Sequence, residues 1–222
     1  AQYRQSGRAG IRRSDGTLLI TMGTFRRTGF AALLLFAALA ARAGAPLPEI
    51  DQFLAYGQKA LESGDAAAAE AASKAVLLDE VRYTFGPGTA EHQSVARAAM
   101  AAWEQALEGQ VRFIEVAPEN AQITFSWQVA VGHEGNHVGG LATWRRAVQR
   151  KGSQVRAVYT AEIALSTVAP SGTVLNRDQL MQCALHEVGH VLGLDDCRER
   201  GEVMSPLDMS KPVPVITKAD LD

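Results

Sequence analysis

Residues 186–196 of this chain read HEVGHVLGLDD, and the rest of the sequence is interpreted around this stretch. If the segment is helical, His186 and His190 lie four residues apart on one face, so both imidazoles can bind one metal ion. Glu187 lies beside the first histidine, where its carboxylate can act on a metal-bound water without becoming a ligand. The stretch therefore predicts a metal site that has its own base.

Two histidines leave a tetrahedral zinc ion short of a third protein ligand. Gly193 can adopt the left-handed conformation that ends a helix and turns the chain back toward its start. Asp196 follows three residues later and can supply the third ligand. The fourth position stays open for water, which predicts a catalytic zinc site rather than a closed structural one.

The pattern H-E-x-x-H-x-x-G-x-x-D resembles the metzincin clan of zinc metallopeptidases, in a matrixin-like bacterial form. The clan more often has histidine as the third ligand, where this chain has Asp196. Met204 matches the clan's methionine turn, which forms a hydrophobic floor beneath the metal. The resemblance covers about residues 80–222 and implies a hydrolase that cuts peptide or protein substrates. It implies one catalytic zinc ion, while calcium, which some matrixins hold, is not indicated by the residues here.

Residues 81–222 are expected to form an α+β domain of the metzincin type. The expected parts are a twisted five-stranded mixed sheet, a long packing helix with Val95, Ala99, Trp103 and Leu107 on its buried face, and an active-site helix. Strands are predicted at 81–85, 111–116, 122–127, 140–144 and 156–166, and helices at 90–107 and after Asn176. Residues 145–151 are interpreted as a short solvated basic turn, and residues 217–222 as the first turn of a closing helix that the sequence truncates.

The resemblance also implies how a substrate would bind. Residues 140–144 look like the edge strand that pairs with an extended peptide, so Gly140, Leu141 and Ala142 are expected substrate contacts. Pro206 is a further expected contact, at the start of a Pro-rich segment that would wall the pocket for the residue after the cut bond.

Two smaller groups of residues leave alternatives open. The glycine-rich segment 132–140 contains His133 and His137 and is predicted to be a loop, whose histidines are solvated, contact the substrate rim or bind a second metal. Cys183 and Cys197 bracket the zinc motif, and because Asp196 must return to the metal, a disulfide between them is the first expectation in an exported protein. The alternatives are two buried thiols or a thiolate metal ligand.

The first 43 residues are interpreted as two segments without a place in the fold. Residues 1–21 look like an upstream or disordered lead. Residues 22–43 have a basic start, a short apolar run and a small-x-small cleavage site, which predicts a signal peptide with Gly44 as the mature N-terminus. The apolar run is too short for a stable membrane anchor, so the protein is expected to be exported, either periplasmic or extracellular.

Residues 44–80 are rich in Ala, Leu, Glu and Lys, and the break at 63–65 predicts a helical hairpin that weakly resembles one tetratricopeptide unit. One such unit cannot bury its own apolar face. It could dock on the catalytic domain, bind a protein partner through residues 46–80, or be a removable pro-segment.

Charge and motif together define the functional alternatives. Residues 44–222 carry 15 basic and 23 acidic side chains, which argues against nucleic acid as a partner. A secreted zinc endopeptidase is the main hypothesis. The alternatives are a non-catalytic metal-binding or interaction module on the same fold, and a zinc hydrolase that acts on a non-peptide amide.

Overall fold

A mixed sheet and the helix that contains the zinc motif form the centre of the protein. The computed structural model describes residues 48–197, 201–218 and 220–221. The predicted lead at 1–21 and the predicted signal peptide at 22–43 lie outside the described residues. The predicted α+β class and the five-stranded mixed sheet are confirmed.

The elements follow one another as helical hairpin, sheet and zinc-motif helix. The helices are α1 (Pro48–Glu62), α2 (Ala66–Val76), α3 (Ala90–Ala106) and α4 (Arg177–Leu192). The strands are β1 (Glu80–Phe85), β2 (Arg112–Glu115), β3 (Ile123–Gln128), β4 (Val131–His133), β5 (Asn136–Val138), β6 (Gly140–Lys151) and β7 (Gln154–Ser166). The large sheet has the order β2-β1-β3-β7-β6, in which only the edge strand β6 is antiparallel to its neighbour.

Helix α3 packs against α4 and fixes its position over the sheet. Val95, Ala99 and Trp103 are buried as predicted, while Leu107, also predicted on this face, is only partly buried. The indole Nε1 of Trp103 donates a hydrogen bond of 2.9 Å to the backbone oxygen of Leu185, one residue before the zinc motif. Because this donor is buried, a partner is needed to offset its desolvation.

Two predictions about loops are wrong. Residues 145–151 are the second half of β6, which pairs with β7 as far as Lys151, so the predicted turn begins only at Gly152. Residues 132–138 form the two-stranded ribbon β4–β5, which turns at Glu134 and Gly135 with φ of 47° and 81°. Two successive left-handed residues match the twist of a tight hairpin, which apolar periodicity alone does not reveal.

Helix α2 of the hairpin packs on β6 and β7, and α1 packs on α2. A side chain at Gly57 would approach Ala72 to 3.2 Å, so the two helices are closely packed. Near the other end of the chain, the described residues do not form the expected closing helix, and Leu221 donates to the Lys218 oxygen at 3.0 Å in a turn. No helix among the described residues is long and apolar enough to cross a membrane.

Candidate metal centre

Helix α4 presents the zinc motif and stops where the sequence predicts. A capping box starts it: Asn176 Oδ1 accepts from the Gln179 backbone at 3.0 Å, and Gln179 Oε1 accepts from the Asn176 backbone at 2.8 Å. Gly193 ends it with φ of 106°, a conformation that strains residues with a Cβ. The chain therefore reverses directly after the second histidine of the motif.

This reversal brings Asp196 to both histidines. Its Oδ1 lies 3.2 Å from His186 Nε2 and 3.5 Å from His190 Nε2. Around a tetrahedral zinc ion with bonds of about 2.0–2.1 Å, ligand atoms lie roughly 3.3–3.4 Å apart. One nitrogen or oxygen from each residue lies within 4.8 Å of the others, so the three predicted ligands fit zinc in chemistry and in spacing.

The orientation of the imidazole rings also suits a metal. His186 Nδ1 lies 2.8 Å from the Val203 oxygen, and His190 Nδ1 lies 2.9 Å from the Leu194 oxygen. A carbonyl oxygen can only accept, so each Nδ1 carries the proton. With the proton on Nδ1, the zinc-binding form of each ring leaves the Nε2 lone pair for the metal, on the side of Asp196.

The charges of these groups are strongly coupled when no metal is bound. Burial raises the pKa of Asp196, but the hydrogen bonds to His186 and His190 outweigh it and hold that pKa well below its usual range. Burial opposes a charged His190, yet the hydrogen bond to Asp196 and the negative charge of Glu187 raise its pKa to about 9. The carboxylate is therefore ready to bind a cation, while His190 must first lose a proton.

Glu187 is buried beside the ligands, in contact with the edge strand. The backbone of Ala142 on β6 favours the ionised form of the Glu187 carboxylate and so lowers its pKa. A Cβ at Gly140 would lie 2.6 Å from Glu187 Cγ and 2.7 Å from Oε1, so only glycine leaves room for this carboxylate. Burial raises the pKa of Glu187, against the lowering influence of His186, His190 and the Ala142 backbone. A carboxylate with a raised pKa is a better proton acceptor than a solvated one.

Met204 lies against the zinc-motif helix, as expected for a methionine turn. A Cβ at Gly189 would lie 2.3 Å from Met204 Sδ, so the thioether occupies the space that a larger residue would need. Met204 is buried, and its backbone oxygen accepts from Cys197 at 2.9 Å. The turn thus supports both the helix and the segment that follows Asp196.

Sequence reasoning missed Asp220, which supports the site from near the C-terminus. Its Oδ1 accepts from the Val203 backbone at 2.6 Å, and its Oδ2 accepts from the Thr217 backbone at 2.7 Å. Val203 in turn offers its oxygen to His186. The spacing T-x-x-D was visible as a helix-start signal, but nothing local to it indicates a bond to Val203.

The predicted substrate contacts lie in two places. Gly140 and Ala142 touch Glu187, while Leu141 faces the opposite side of β6 and is half-buried. Pro206 is exposed after the methionine turn. The next residue, Leu207, packs near Gly139, because a Cβ there would approach its Cδ1 to 2.7 Å.

The cysteines and the second histidine cluster differ from the zinc motif. Cys183 and Cys197 are not bonded to each other in the structure, and the predicted disulfide stays a prediction. Cys183 Sγ instead lies under Gly139, where burial raises the pKa of its thiol to about 12. His133 and His137 lie on β4 and β5, and among the described residues only the motif ligands form a group of three metal-binding side chains.

Comparison with known proteins agrees with this geometry. The sequence model of one family, described as Matrixin, matches residues 80–221. No curated protein matches the chain in a sequence search. The match spans the sheet, the zinc-motif helix and the methionine turn, and it leaves the hairpin α1–α2 outside. The chain therefore belongs to the matrixin family of zinc metallopeptidases.

Proposed function

We propose that this protein is an exported zinc endopeptidase in which Glu187 is the general base. The observation that carries the proposal is the placement of Glu187: its buried carboxylate follows His186 in the chain and packs against Gly140 of the edge strand. A module that only bound metal would not need a buried acid at this position, because burying an ionisable group is unfavourable.

Metal binding and proton transfer are assigned to different residues of the site. His186, His190 and Asp196 would hold zinc. Zinc bound there would supply Lewis-acid chemistry, lowering the pKa of a water and polarising the carbonyl of the scissile bond. Glu187 takes the proton from the attacking water and returns it to the leaving amine. The close packing of Gly140 against the Glu187 carboxylate restricts the position of that carboxylate during both transfers.

The edge strand gives the substrate a place to bind. Strand β6 pairs with β7 on one side only, so backbone groups on its other side can bond an extended peptide. Gly140 belongs to this strand and packs against Glu187. A peptide added along β6 is thereby positioned relative to the base by a rigid sheet. This arrangement favours an endopeptidase over a hydrolase of small amides.

Zinc binding should strengthen as the pH rises. The pKa of His190 is raised to about 9, so its proton stays bound below that pH and must leave before zinc can bind. From pH 6 to 8 the apparent affinity should increase about tenfold per pH unit from this group, and it should level off above pH 9. Competition with a chelator of known protonation behaviour measures it, and a constant affinity from pH 6 to 9 would contradict the assignment.

Glu187→Gln should bind zinc stoichiometrically and lose turnover. The amide keeps the shape of the side chain but cannot accept the proton, so kcat on unfolded casein should fall about 100- to 10,000-fold. Glu162→Gln, an exposed change on β7, is the matched control and should cut at the parent rate. Cleavage by Glu187→Gln at the parent rate would refute the role of the base.

Gly140→Ala should displace Glu187 without disturbing the zinc ligands, so it should lower kcat and leave zinc binding unchanged. The added Cβ collides with the Glu187 carboxylate and its stem, so kcat should drop at least about tenfold while zinc stays bound. Gly132→Ala is the control, because a Cβ there meets nothing within 4 Å. Equal kcat values for the two variants would show that Glu187 does not depend on the space at Gly140.

Export is proposed from the predicted signal peptide at 22–43. When the full chain is produced in a bacterial host with a functional export pathway, the exported material should begin at Gly44. Intact mass measurement of the periplasmic and medium fractions tests this. A chain found only inside the cytoplasm with residues 22–43 still attached would overturn the export proposal and leave the peptidase proposal untouched.

A further inference from the structure

Arg146 on β6 joins the helical hairpin to the zinc-motif helix. Its Nη1 donates to the backbone oxygens of Ala75 at 2.9 Å and Val76 at 3.3 Å, at the end of α2. Its Nη2 donates at 2.6 Å to the oxygen of Val191, at the end of α4. One guanidinium therefore binds the last carbonyls of two helices, one inside the matrixin match and one outside it.

The physical chemistry of helix ends explains why an arginine is suited to this place. The last carbonyls of a helix have no partner within the helix, and they carry the negative end of its dipole. Tyr159 completes the site, since its ring lies 4.9 Å from the guanidinium carbon and its hydroxyl donates to Val191 at 3.2 Å. Among the described residues no carboxylate pairs with Arg146. The two helix ends and the ring thus offset its burial.

A second contact runs from the hairpin to a metal ligand itself. The indole Nε1 of Trp144 donates to Glu49 at the start of α1, and the indole ring stacks on the His190 imidazole at 6.0 Å and 26°. Ile50, also on α1, is buried against the turn, since a Cβ at Gly193 would lie 3.3 Å from its Cδ1. Both the ring of His190 and the turn toward Asp196 are therefore held from the hairpin side.

We propose that Arg146 and Trp144 are positioning residues, through which the hairpin α1–α2 holds the zinc ligands in place as a permanent part of the catalytic unit. Arg146 fixes the end of α4 at Val191, five residues before Asp196. Trp144 fixes the plane of the His190 ring. The inference rests on the zinc site of the proposed function and adds a role for a segment that the matrixin match does not cover.

The test compares variants of the full-length protein with the parent. Two quantities are measured for each: the affinity for zinc, and the visible spectrum after cobalt is substituted for zinc. Arg146→Met removes the donors but keeps an unbranched apolar stem, and it should weaken zinc binding about 10- to 100-fold and alter the cobalt bands. Arg146→Lys should restore part of the affinity, because an ammonium can still donate to Val191. Arg150→Met is the control: it removes the contact of Arg150 with Asp65 of the hairpin, and its affinity and spectrum should match the parent.

Glu49→Ala keeps the proposal testable if Arg146→Met fails to fold. This half-buried change in the first turn of α1 removes the acceptor of Trp144 together with a negative charge that acts on Arg146, and it should weaken zinc binding at least about threefold. Parent-like affinity and cobalt spectra in Glu49→Ala and in any folded Arg146→Met would overturn the proposal, as would an equal loss in Arg150→Met. Neither readout needs a substrate, so a failure of peptide cleavage alone would count against the proposed function and not against this inference.

Discussion

The reversal of the chain at Gly193 is the constraint on which the metal centre depends. An α-helix can place His186 and His190 side by side, but it cannot also place a third ligand opposite them. A left-handed residue directly after the helix brings Asp196 back to within 3.2–3.5 Å of both imidazoles. The same turn presents the Leu194 carbonyl to His190 Nδ1, so one backbone conformation supplies a ligand and orients another.

Small residues around this turn determine how closely its supports approach. Gly189 lets Met204 pack against the helix between the two histidines, and Gly140 lets the edge strand meet Glu187. In both cases an added methyl group would overlap atoms at 2.3–2.7 Å, far inside ordinary contact distance. Glu187 therefore contacts the sheet and α4 contacts the methionine turn, so the edge strand, Glu187 and the metal ligands belong to one packed body.

The sequence predicts those parts of the site whose residues are close together in the chain. It does not predict contacts between residues that are far apart in the chain. His186, Glu187, His190, Gly193 and Asp196 lie within eleven residues, so helix periodicity and glycine stereochemistry predict their arrangement. Arg146 was assigned to a solvated turn because a run of basic residues normally faces water, and its acceptors lie 45 and 71 residues away. Asp220 and Val203 pose the same difficulty, since only the folded chain brings them together. Proximity in sequence to a turn also does not fix the direction of a side chain: Cys183 points under Gly139.

The contacts of the hairpin bear on whether it is a removable pro-segment. A segment that inhibits a metal site by occupying it would place a donor on the metal ligands or on the base. Among the described residues, the hydrogen bonds from the hairpin reach Trp144, Arg146 and Arg150 of β6 instead. Loss of the hairpin would leave the Nη1 donors of Arg146 without their acceptors, and a buried donor without a partner is unfavourable. These contacts favour a hairpin that stays on the domain and supports the end of α4 through Arg146. We expect it to remain there when a peptide binds along the edge strand.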